Sequence, residues 1–432
     1  MTDRKILGLT SSIGIVISSM VGAGLYTTSG FALADLKSPA LVLLAWGIAG
    51  IIALCGSIGY GVLARQFQES GGEYLYLSKT VHPAVGFLAG IVSIVAGFTG
   101  AIAFAAITLE ASLLDLSKSL DQLPAGSIAS TVVVLAALQH MFRVRIGSQL
   151  QNAIVLSKLS LLLIFIAVAF AQFPDQWESW KSKTSIQTSS VSLSTFATSL
   201  MWISFSYCGF NAAIYCAGEI KNTEQTVPRA LLIGTLLVVG FYWCINAVFV
   251  YAAPYDQVAG QEQIATIVAG DIGGVWFAWL MGLVIVISLY TSVSVSMMIG
   301  PRVLARMAED GNLPGWFNFQ GETPRIAIFL QAIASILFIQ VTTLRELLTY
   351  LSFTLSLCSA ITVGSLLLGR HRNQIRLWQK IVASFFTLAT LVISFLGASR
   401  NPRESAAGLV TILVGLLIYW LISRRRMSVN QD

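Results

Sequence analysis

Residues Met20 to Ser29 read M-V-G-A-G-L-Y-T-T-S and lie inside an apolar run that is long enough to cross a bilayer. Gly22 and Gly24 flank Ala23 at a place where a transmembrane helix favours strong helix formers. Glycines allow a membrane helix to open, and the bilayer tolerates the freed backbone groups only where they line a cavity or a ligand. The stretch therefore predicts a first helix that is broken near its middle. Close packing of small residues against a neighbouring helix explains this stretch, taken alone, equally well.

The composition is that of a polytopic membrane protein. Hydrophobic residues make up 56% of the 432 residues and charged residues only 11%, with a mean hydropathy of +0.77, whereas soluble domains contain about 25% charged residues. The first apolar run follows Arg4 and Lys5 without a small-residue cleavage site, so we expect no removable signal peptide. The five cysteines fall in apolar runs without metal-ligand spacing, which predicts buried thiols, no disulfide framework and no metal site.

Apolar runs of about the length of a membrane span occur twelve times along the chain. They lie at about 7–34, 39–64, 83–112, 126–142, 150–172, 193–218, 229–252, 265–300, 326–342, 346–369, 378–397 and 406–423. A Ser/Thr/Lys-rich segment at 173–192 is expected to be external. This assignment places eighteen of the 26 Lys and Arg residues on the side of both termini and seven on the opposite side. The bias predicts cytoplasmic termini and a multi-pass protein of the plasma (inner) membrane.

The sixth run is interrupted in the same way as the first. Residues Leu200 to Gly218 read L-M-W-I-S-F-S-Y-C-G-F-N-A-A-I-Y-C-A-G, with Ser206, Cys208 and Gly209 near mid-span. Two interrupted segments five spans apart are typical of an inverted repeat of five plus five helices, whose broken members meet at the bilayer midplane. We therefore predict an all-α membrane protein of twelve transmembrane helices, with helices 1 and 6 broken. The first repeat is expected at 1–172, the second at 193–369, and two further helices with a cytoplasmic tail at 370–432.

Five stretches resemble motifs of the amino acid-polyamine-organocation transporters, in that family's order. They are V-G-A-G-L-Y (21–26), S-G-G-E-Y-L-Y-L (70–77), F-S-Y-C-G-F-N (205–211), A-G-E-I-K-N-T-E-Q-T-V-P-R-A (217–230) and G-P-R-V-L-A-R-M-A-E-D-G-N-L-P (300–314, after helix eight). The L-type, sodium-independent amino acid transporters are the branch that the chain resembles most. Thr223 stands where the family usually has Pro, and Gln68 and Glu69 stand where a Pro is common, but these departures lie in loops. The resemblance implies a secondary transporter of amino acids that works by alternating access.

A zwitterionic amino acid needs hydrogen-bond donors for its carboxylate and acceptors for its ammonium group. Backbone N–H groups at the start of the outer half of helix one are expected to bind the carboxylate at the positive end of the helix dipole. Carbonyl groups that end its inner half, together with those of the sixth helix, are expected to bind the ammonium, and the resemblance implies the same roles. The expected substrate-binding residues are Ser19, Met20, Gly22, Ala23, Gly24, Leu25, Phe205, Ser206, Cys208 and Gly209.

Two side chains have more specific expected roles. Phe205 matches the family's sixth-helix gate, so we expect it to cover the substrate from the external side; packing against lipid or a neighbouring helix is the alternative. Lys158 is an ionisable residue within the fifth span, where its cost is about 2.5–3.5 kcal/mol or more and a functional role is the default expectation. Snorkelling toward the cytoplasmic face is its alternative. The resemblance implies that the Lys158 ammonium replaces a sodium ion and reaches carbonyls of helix one and hydroxyls of helix eight, for which Ser288 and Ser292 are candidates.

We therefore expect a sodium-independent transporter that exchanges neutral amino acids across the lipid bilayer. A proton-coupled symporter of cationic amino acids or amines is the alternative, and it depends on whether Lys158 can lose its proton. Neither a catalytic constellation nor a Walker-type loop occurs, so we expect no enzyme and no cofactor, and the net charge of +6 reflects loop bias, not nucleic-acid binding. The external loop at 113–124 has no cysteine, which predicts no disulfide-linked heavy subunit. Glu110, near the outer end of span three, is either an interfacial charge or the partner of a cationic side chain.

Overall fold

The computed structural model describes residues 7–142, 156–172, 191–317, 324–368 and 375–429. These residues form helices almost throughout. In chain order the helices are α1 (Leu9–Met20), α2 (Ala23–Leu36), α3 (Pro39–Gln66), α4 (Gly72–Thr80), α5 (Pro83–Leu116), α6 (Ser127–Met141), α7 (Leu156–Gln172), α8 (Leu193–Ser206), α9 (Thr223–Tyr251), α10 (Tyr255–Val258), α11 (Ile264–Glu309), α12 (Arg325–Val341), α13 (Leu344–Gly364), α14 (Leu377–Arg400) and α15 (Pro402–Val429). The segment predicted to be external at 173–192 and the start of the fifth predicted span lie almost wholly outside the described residues.

Within the described ranges, seven helices are long and apolar enough to cross a membrane, and eight spans result if α1 and α2, which are bent by 41° at a short break, count as one. Three shorter apolar helices, α6, α7 and α12, lie where the fourth, fifth and ninth spans were predicted. The sixth predicted span contains α8 and a 3₁₀ segment at Ala212–Glu219. The nearly all-helical membrane fold and the break in the first span are confirmed, whereas the count of twelve spans stays a prediction.

Two helix boundaries differ from the sequence-based expectation. Helix α11 does not end near Gly300 but continues to Glu309. The glycine serves packing within the helix, since an added Cβ would lie 2.6 Å from the Gln331 amide of α12. The same helix bends at Gly274, whose φ of +71° favours glycine. Helix α9 begins at Thr223, earlier than predicted, since the Thr223 hydroxyl donates to the Ile220 carbonyl at 2.8 Å and closes the preceding turn. Most of the stretch at 300–314 and the second half of that at 217–230 are therefore helical.

The packing of the spans follows their order in the two halves of the chain. Helix α2 packs on α8, α3 on α9, α5 on α11 and α6 on α12. Each of the first four predicted spans thus contacts the span five places later in the chain: the first contacts the sixth, the second the seventh, the third the eighth and the fourth the ninth. This is the pairing expected of two five-helix repeats wrapped around a shared axis. The inverted relation of the repeats and their boundaries remain predictions that this packing supports.

The start of the chain is tied to the end of the sixth predicted span. The Leu7 N–H donates to the Glu219 carbonyl at 3.0 Å, and the Lys221 N–H donates to the Leu7 carbonyl at 2.9 Å. This short backbone pairing holds the beginning of α1 against the 3₁₀ segment. The half of the first span nearer the N-terminus is therefore fixed at both ends, at Leu7 and at its break.

Candidate functional site

The first span opens at Val21 and Gly22, which have non-helical backbone angles between α1 and α2. The Leu25 N–H closes the first turn of α2 by donating to the Gly22 carbonyl at 3.2 Å. The N–H groups of Ala23 and Gly24 belong to the same first turn and have no partner within the helix. Of the N–H groups at the start of the outer half of helix one, which were expected to bind a carboxylate, those of Ala23 and Gly24 are thus available, while that of Leu25 is engaged within its own turn.

Gly24 lies at a close approach of α2 and α8. A Cβ added there would lie 2.6 Å from the Ser206 Oγ and 2.9 Å from the Ser206 Cα. Beside this contact, the hydroxyls of Thr28 and Ser206 are 2.9 Å apart and share a hydrogen bond. Both interpretations of the glycine-rich stretch therefore apply, each to a different glycine. The helix breaks at Gly22, and Gly24 allows close packing of α2 against α8.

The sixth span loses its α-helical form after Ser206, at the end of α8. Gly209 follows in the interruption with a φ of +103°, a conformation that L-residues rarely adopt. A Cβ at this position would lie 2.7 Å from the Ser19 carbonyl oxygen. Gly209 thus presses the interrupted segment onto the carbonyl end of α1, and the breaks of the two spans meet.

Lys158 contacts this meeting point from α7. Its side chain is only 3% exposed, and its Nζ donates to the Val21 carbonyl at 3.1 Å. The ammonium therefore lies inside the helix bundle, against a backbone carbonyl that the break in the first span has freed. In this structure it does not extend toward the membrane surface.

A family model described as amino acid permease matches residues 7–422, nearly the whole chain. The chain belongs to this family. Its relatives include Asc-type amino acid transporter 1 of Mus musculus, which is 24% identical over 97% of this chain and 81% of the relative. The large neutral amino acids transporter small subunit 2 of Homo sapiens is 23% identical over 97% and 80%. The serine/threonine exchanger SteT of Bacillus subtilis is 24% identical over 98% of both chains. The expected resemblance to the L-type branch of the amino acid-polyamine-organocation transporters is confirmed.

Solved structures of other transporters share the fold of this permease. Mhp1, a nucleobase-cation-symport-1 family transporter in a closed conformation with bromovinylhydantoin bound, has a TM-score of 0.58 at 13% identity, covering 98% of this chain and 94% of its own. MhsT in complex with L-phenylalanine has a TM-score of 0.54 at 14% identity, covering 95% and 97%. At such low identities the similarity concerns the fold alone.

The two candidate serines of the permease lie on α11 beside the break. Ser292 Oγ would be 3.8 Å from a Cβ placed at Gly22, but it donates to the Ser288 carbonyl at 3.1 Å. Ser288 Oγ accepts a hydrogen bond of 3.2 Å from the hydroxyl of Tyr26 in α2. Among the described contacts neither serine bonds to Lys158. The role of these three residues as a sodium-site substitute stays a prediction.

Two buried tyrosines at the break were missed by the sequence analysis. Tyr26 joins α2 to α11 as described, and the Tyr242 hydroxyl of α9 donates to the Met20 carbonyl at 2.6 Å. The Tyr242 ring also packs edge-on against Trp46 of α3, with ring centroids 5.3 Å apart. The available signal was a tyrosine within an apolar span, since a buried phenol needs a hydrogen-bond partner. Tyr242 thus occupies one lone pair of a carbonyl that was expected to bind the substrate ammonium.

Phe205 is partly buried at the end of α8 and packs against a neighbouring helix. Its ring meets Phe104 of α5 edge to face, with centroids 5.5 Å apart and an angle of 88° between the planes. The contact joins the interrupted sixth span to the third span next to Ser206. Its function as an external gate stays a prediction, because this packing alone does not require a substrate beneath it.

Cys208 has its side chain on the face of the sixth span that is turned toward α3, α13 and α14. It lines a cavity of about 30 Å³ with Ser204 of α8 and with residues of those three helices, among them Ala53, Ser359 and Thr390. The Cys208 contribution to a site facing α1 would therefore come from its backbone. All five cysteines are free thiols, and the described residues include no group of three or more His, Cys, Asp or Glu side chains that could hold a metal ion.

Glu110 of α5 serves as a helix cap in this permease. The residue is 8% exposed, and its carboxylate accepts hydrogen bonds of 2.7 Å from the backbone N–H groups of Gly126 and Ala129 at the start of α6. Negative charge at a helix N-terminus is stabilised by the unpaired N–H groups and the helix dipole. The partners of Glu110 are thus backbone amides of α6, and neither a cationic side chain nor the lipid interface explains its position.

Proposed function

We propose that the protein is a sodium-independent transporter that exchanges neutral amino acids across the membrane by alternating access. Its relatives include transporters named for neutral amino acids and a serine/threonine exchanger. One observation of the structure carries the finer proposal: Lys158 donates to the carbonyl that the break of the first span leaves free.

The substrate carboxylate is assigned to the N–H groups of Ala23 and Gly24. They are the unpaired donors in the first turn of α2, a helix of 14 residues whose dipole favours an anion at this end. Ala23 has a small side chain and Gly24 has none, so neither residue adds bulk beside these N–H groups. Because the chemistry is supplied by the backbone, this part of the site would accept any α-amino acid.

The substrate ammonium is assigned to carbonyl groups at the end of α1 and in the interrupted sixth span. The Ser19 carbonyl lies against Gly209, and the Phe205 carbonyl accepts a bond of 2.8 Å from the Cys208 N–H. A carbonyl oxygen has two lone pairs, so one hydrogen bond leaves an acceptor position free. The residues assigned to the substrate here are uncharged, which favours amino acids with neutral side chains.

Lys158 is assigned the role of a fixed cation. A sodium ion bound at the break would need carbonyl oxygens such as that of Val21, and the lysine ammonium already bonds to this oxygen. A buried ammonium so placed provides the positive charge without ion binding, so that transport does not require a sodium gradient. We further propose that the protein acts in the plasma (inner) membrane, with cytoplasmic termini and without a disulfide-linked heavy subunit.

The test is uptake of radiolabelled amino acids by proteoliposomes in sodium-free buffer. Vesicles contain either no amino acid or an unlabelled neutral one, and serine, threonine, leucine and arginine are compared as external substrates. We expect uptake of neutral amino acids only into preloaded vesicles, and no stimulation by added sodium. Lys158→Ala should abolish uptake, whereas Lys79→Ala, which removes a surface lysine paired with Glu69, should not change it.

Other outcomes would replace parts of this proposal. Uptake into empty vesicles that follows an imposed pH gradient and prefers arginine would instead support a proton-coupled symporter of cationic amino acids. Stimulation by sodium would refute the role given to Lys158. If the folded parent protein transported no amino acid in any arrangement, the proposed substrate class would be wrong.

A further inference from the structure

Glu73 is a buried acid outside the predicted spans that the transport site described above does not use. It lies in α4, the short helix between spans two and three, on the side predicted to be cytoplasmic, and it is 4% exposed. Carboxylates are almost never so buried unless they are paired with a cation. The groups around Glu73 therefore decide whether it is charged.

Four side chains from four parts of the fold donate hydrogen bonds to the Glu73 carboxyl. The Tyr60 hydroxyl of α3 donates to Oε1 in a short contact, and the Asn211 amide of the interrupted sixth span donates to the same oxygen at 3.4 Å. Oε2 accepts from the Ser93 hydroxyl of α5 at 3.4 Å and from the Cys358 thiol of α13 at 3.1 Å. Glu73 thus joins α4 to the second, third, sixth and tenth predicted spans.

None of these partners carries a positive charge. The titratable groups that face Glu73 from the elements packed around it are Tyr60, Tyr215, Cys208 and Cys358, which are phenols and thiols. Among the described residues, the nearby cations of this side are directed elsewhere. Lys79 and Arg306 both pair with Glu69, at 2.6 Å and 3.4 Å, on the surface.

An unpaired buried carboxylate is costly, so the neutral acid is the stable form in this packing. Burial raises the pKa of Glu73 above its usual value, although the hydrogen bonds from Tyr60, Cys358 and Ser93 act in the opposite direction. Hydroxyl groups can donate or accept, so Tyr60 and Ser93 can remain partners when the carboxyl is protonated. Ser93 also begins a π-helical stretch at Ser93–Gly100, a departure from α-helix that is frequent at functional sites.

We propose that Glu73 is a proton-binding site of the transport cycle, neutral while the cytoplasmic side is packed and ionised when that side opens. Opening would separate α4 from α3, α5 and α13 and admit water. The carboxyl O–H bond then breaks, the proton passes to cytoplasmic water, and closure takes up one proton again. This inference rests on the proposed transport function, but it concerns a site distinct from Lys158.

A short series of contacts connects Glu73 to the proposed substrate site. Asn211, which bonds to Glu73, follows Gly209 by two residues in the interrupted sixth span. Gly209 in turn packs on the Ser19 carbonyl at the end of α1. A movement of the interrupted segment on substrate release would therefore disturb the Glu73 environment directly.

The sign of the pH effect follows from the two states. The pKa of Glu73 is raised in the packed state, whereas a hydrated glutamate has a pKa of about 4.3. At a pH between the pKa of hydrated glutamate and the raised pKa of packed Glu73, the packed state binds more protons than the open state. Acid therefore favours the state in which the cytoplasmic side is closed. Exchange should consequently slow as the internal pH falls, by at most about tenfold per pH unit for a single proton.

The test measures exchange at fixed external pH while the internal pH varies from about 5.5 to about 8, a range that lies above the pKa of a hydrated glutamate. The parent and Glu73→Asp, which keeps a carboxyl, should slow as the interior is acidified. Glu73→Gln, a permanently neutral side chain, should be slow and independent of internal pH. Glu69→Gln, which removes an exposed acid of the same loop, should behave as the parent does. An unchanged pH profile in Glu73→Gln, or a flat profile in the parent, would overturn the proposal.

A second measurement does not require transport. Infrared difference spectroscopy of the purified protein, titrated in the absence of substrate, should show the carbonyl band of a protonated carboxyl that is missing in Glu73→Gln. The band would remain even if the protein exchanged no amino acid, which separates this inference from the proposed function. If the parent and Glu73→Gln gave the same carboxyl bands, Glu73 would be ionised in the packed state and the proposal would be wrong.

Discussion

A methyl group added at Gly24 should disturb both stability and transport. In Gly24→Ala the new Cβ would lie 2.6 Å from the Ser206 Oγ, 2.9 Å from its Cα and 3.0 Å from its Cβ. Rotating the Ser206 side chain can relieve only the first of these contacts, because the other two atoms are fixed to the backbone of α8. Helices α2 and α8 must therefore separate by several tenths of an ångström.

The expected penalty follows from known effects of overpacking. Adding a methylene to a well-packed core costs about 1–3 kcal/mol, and separation should also weaken the hydrogen bond of 2.9 Å between Thr28 and Ser206. If the penalty applied only to conformations in which α2 contacts α8, those conformations would be depopulated about 5- to 150-fold. The variant should thus unfold at a lower temperature and exchange substrate more slowly.

The assay compares thermal unfolding of the purified protein and exchange in proteoliposomes for the parent, Gly24→Ala and Gly14→Ala. Gly14 is an exposed glycine of α1 with no atom within 4 Å of an added Cβ, so its replacement tests the loss of a glycine without a clash. We expect Gly14→Ala to match the parent or to be slightly more stable. A Gly24→Ala protein with parental stability and parental exchange would refute the close helix contact.

Three further predictions concern other described contacts. Glu110→Gln removes the charge from two hydrogen bonds of 2.7 Å at the start of α6. The free energy of unfolding should fall by about 1.5–3 kcal/mol, while the KM for exchange stays unchanged. An altered KM would contradict a purely capping role. Tyr242→Phe removes a buried hydrogen bond of 2.6 Å to the Met20 carbonyl. We expect the free energy of unfolding, measured by thermal unfolding, to fall by about 1 kcal/mol and the KM for exchange to rise. A variant with parental stability and parental KM would contradict the contact. The hydrogen bond from Lys79 lowers the pKa of Glu69 below 4.5, so the pair stabilises the fold at neutral pH, and this stabilisation is lost as the pH falls below 4.5. The difference in unfolding temperature between the parent and Glu69→Gln should therefore disappear in acid. A difference that stayed constant with pH would argue against the ion pair.

The break in the first span could be predicted from sequence because its cause is local. Gly22 and Gly24 lie within an apolar run, and a bilayer permits freed backbone groups only where they line a site. The interrupted sixth span was recognisable for the same reason, from Gly209 and its polar neighbours. A buried lysine such as Lys158 is also conspicuous in an apolar span, whatever the rest of the chain does.

The partners of these residues could not be predicted, because they are distant in the sequence. The contact between Tyr26 and Ser288 joins residues 262 positions apart, and that between Lys158 and Val21 joins residues 137 apart. The predicted helix end near Gly300 was wrong for a related reason, since this glycine permits a close contact with Gln331 of α12 within a helix that continues. Local composition does not contain this information.

Glu73 was missed although its motif was recognised. An acid next to Gly72 and Tyr74 in a loop between spans resembles an ordinary hydrated charge, and the neighbouring Glu69 is one. The difference arises only when α3, α5 and α13 close over the loop and bury Glu73 to 4% exposure while leaving Glu69 at the surface. Burial of an acid by other helices is a property of the fold and has no local sequence signal.

The two predicted sides of the membrane carry contacts of different chemistry. On the outer side, Asp35 of α2 pairs with Arg345 of α13 at 2.7 Å, and the Arg345 guanidinium carbon lies 4.8 Å from the Trp202 ring of α8. Arg345 has a side chain that is 47% exposed, so salt should screen this contact. On the inner side, Glu73 is buried among neutral hydrogen-bond donors, where salt has little access. The contacts on this side should therefore respond to pH, through protonation of Glu73, and not to salt. If the protein works by alternating access, as we propose, its two sides open in turn, so salt should bias the cycle from the outer side and internal pH from the inner side.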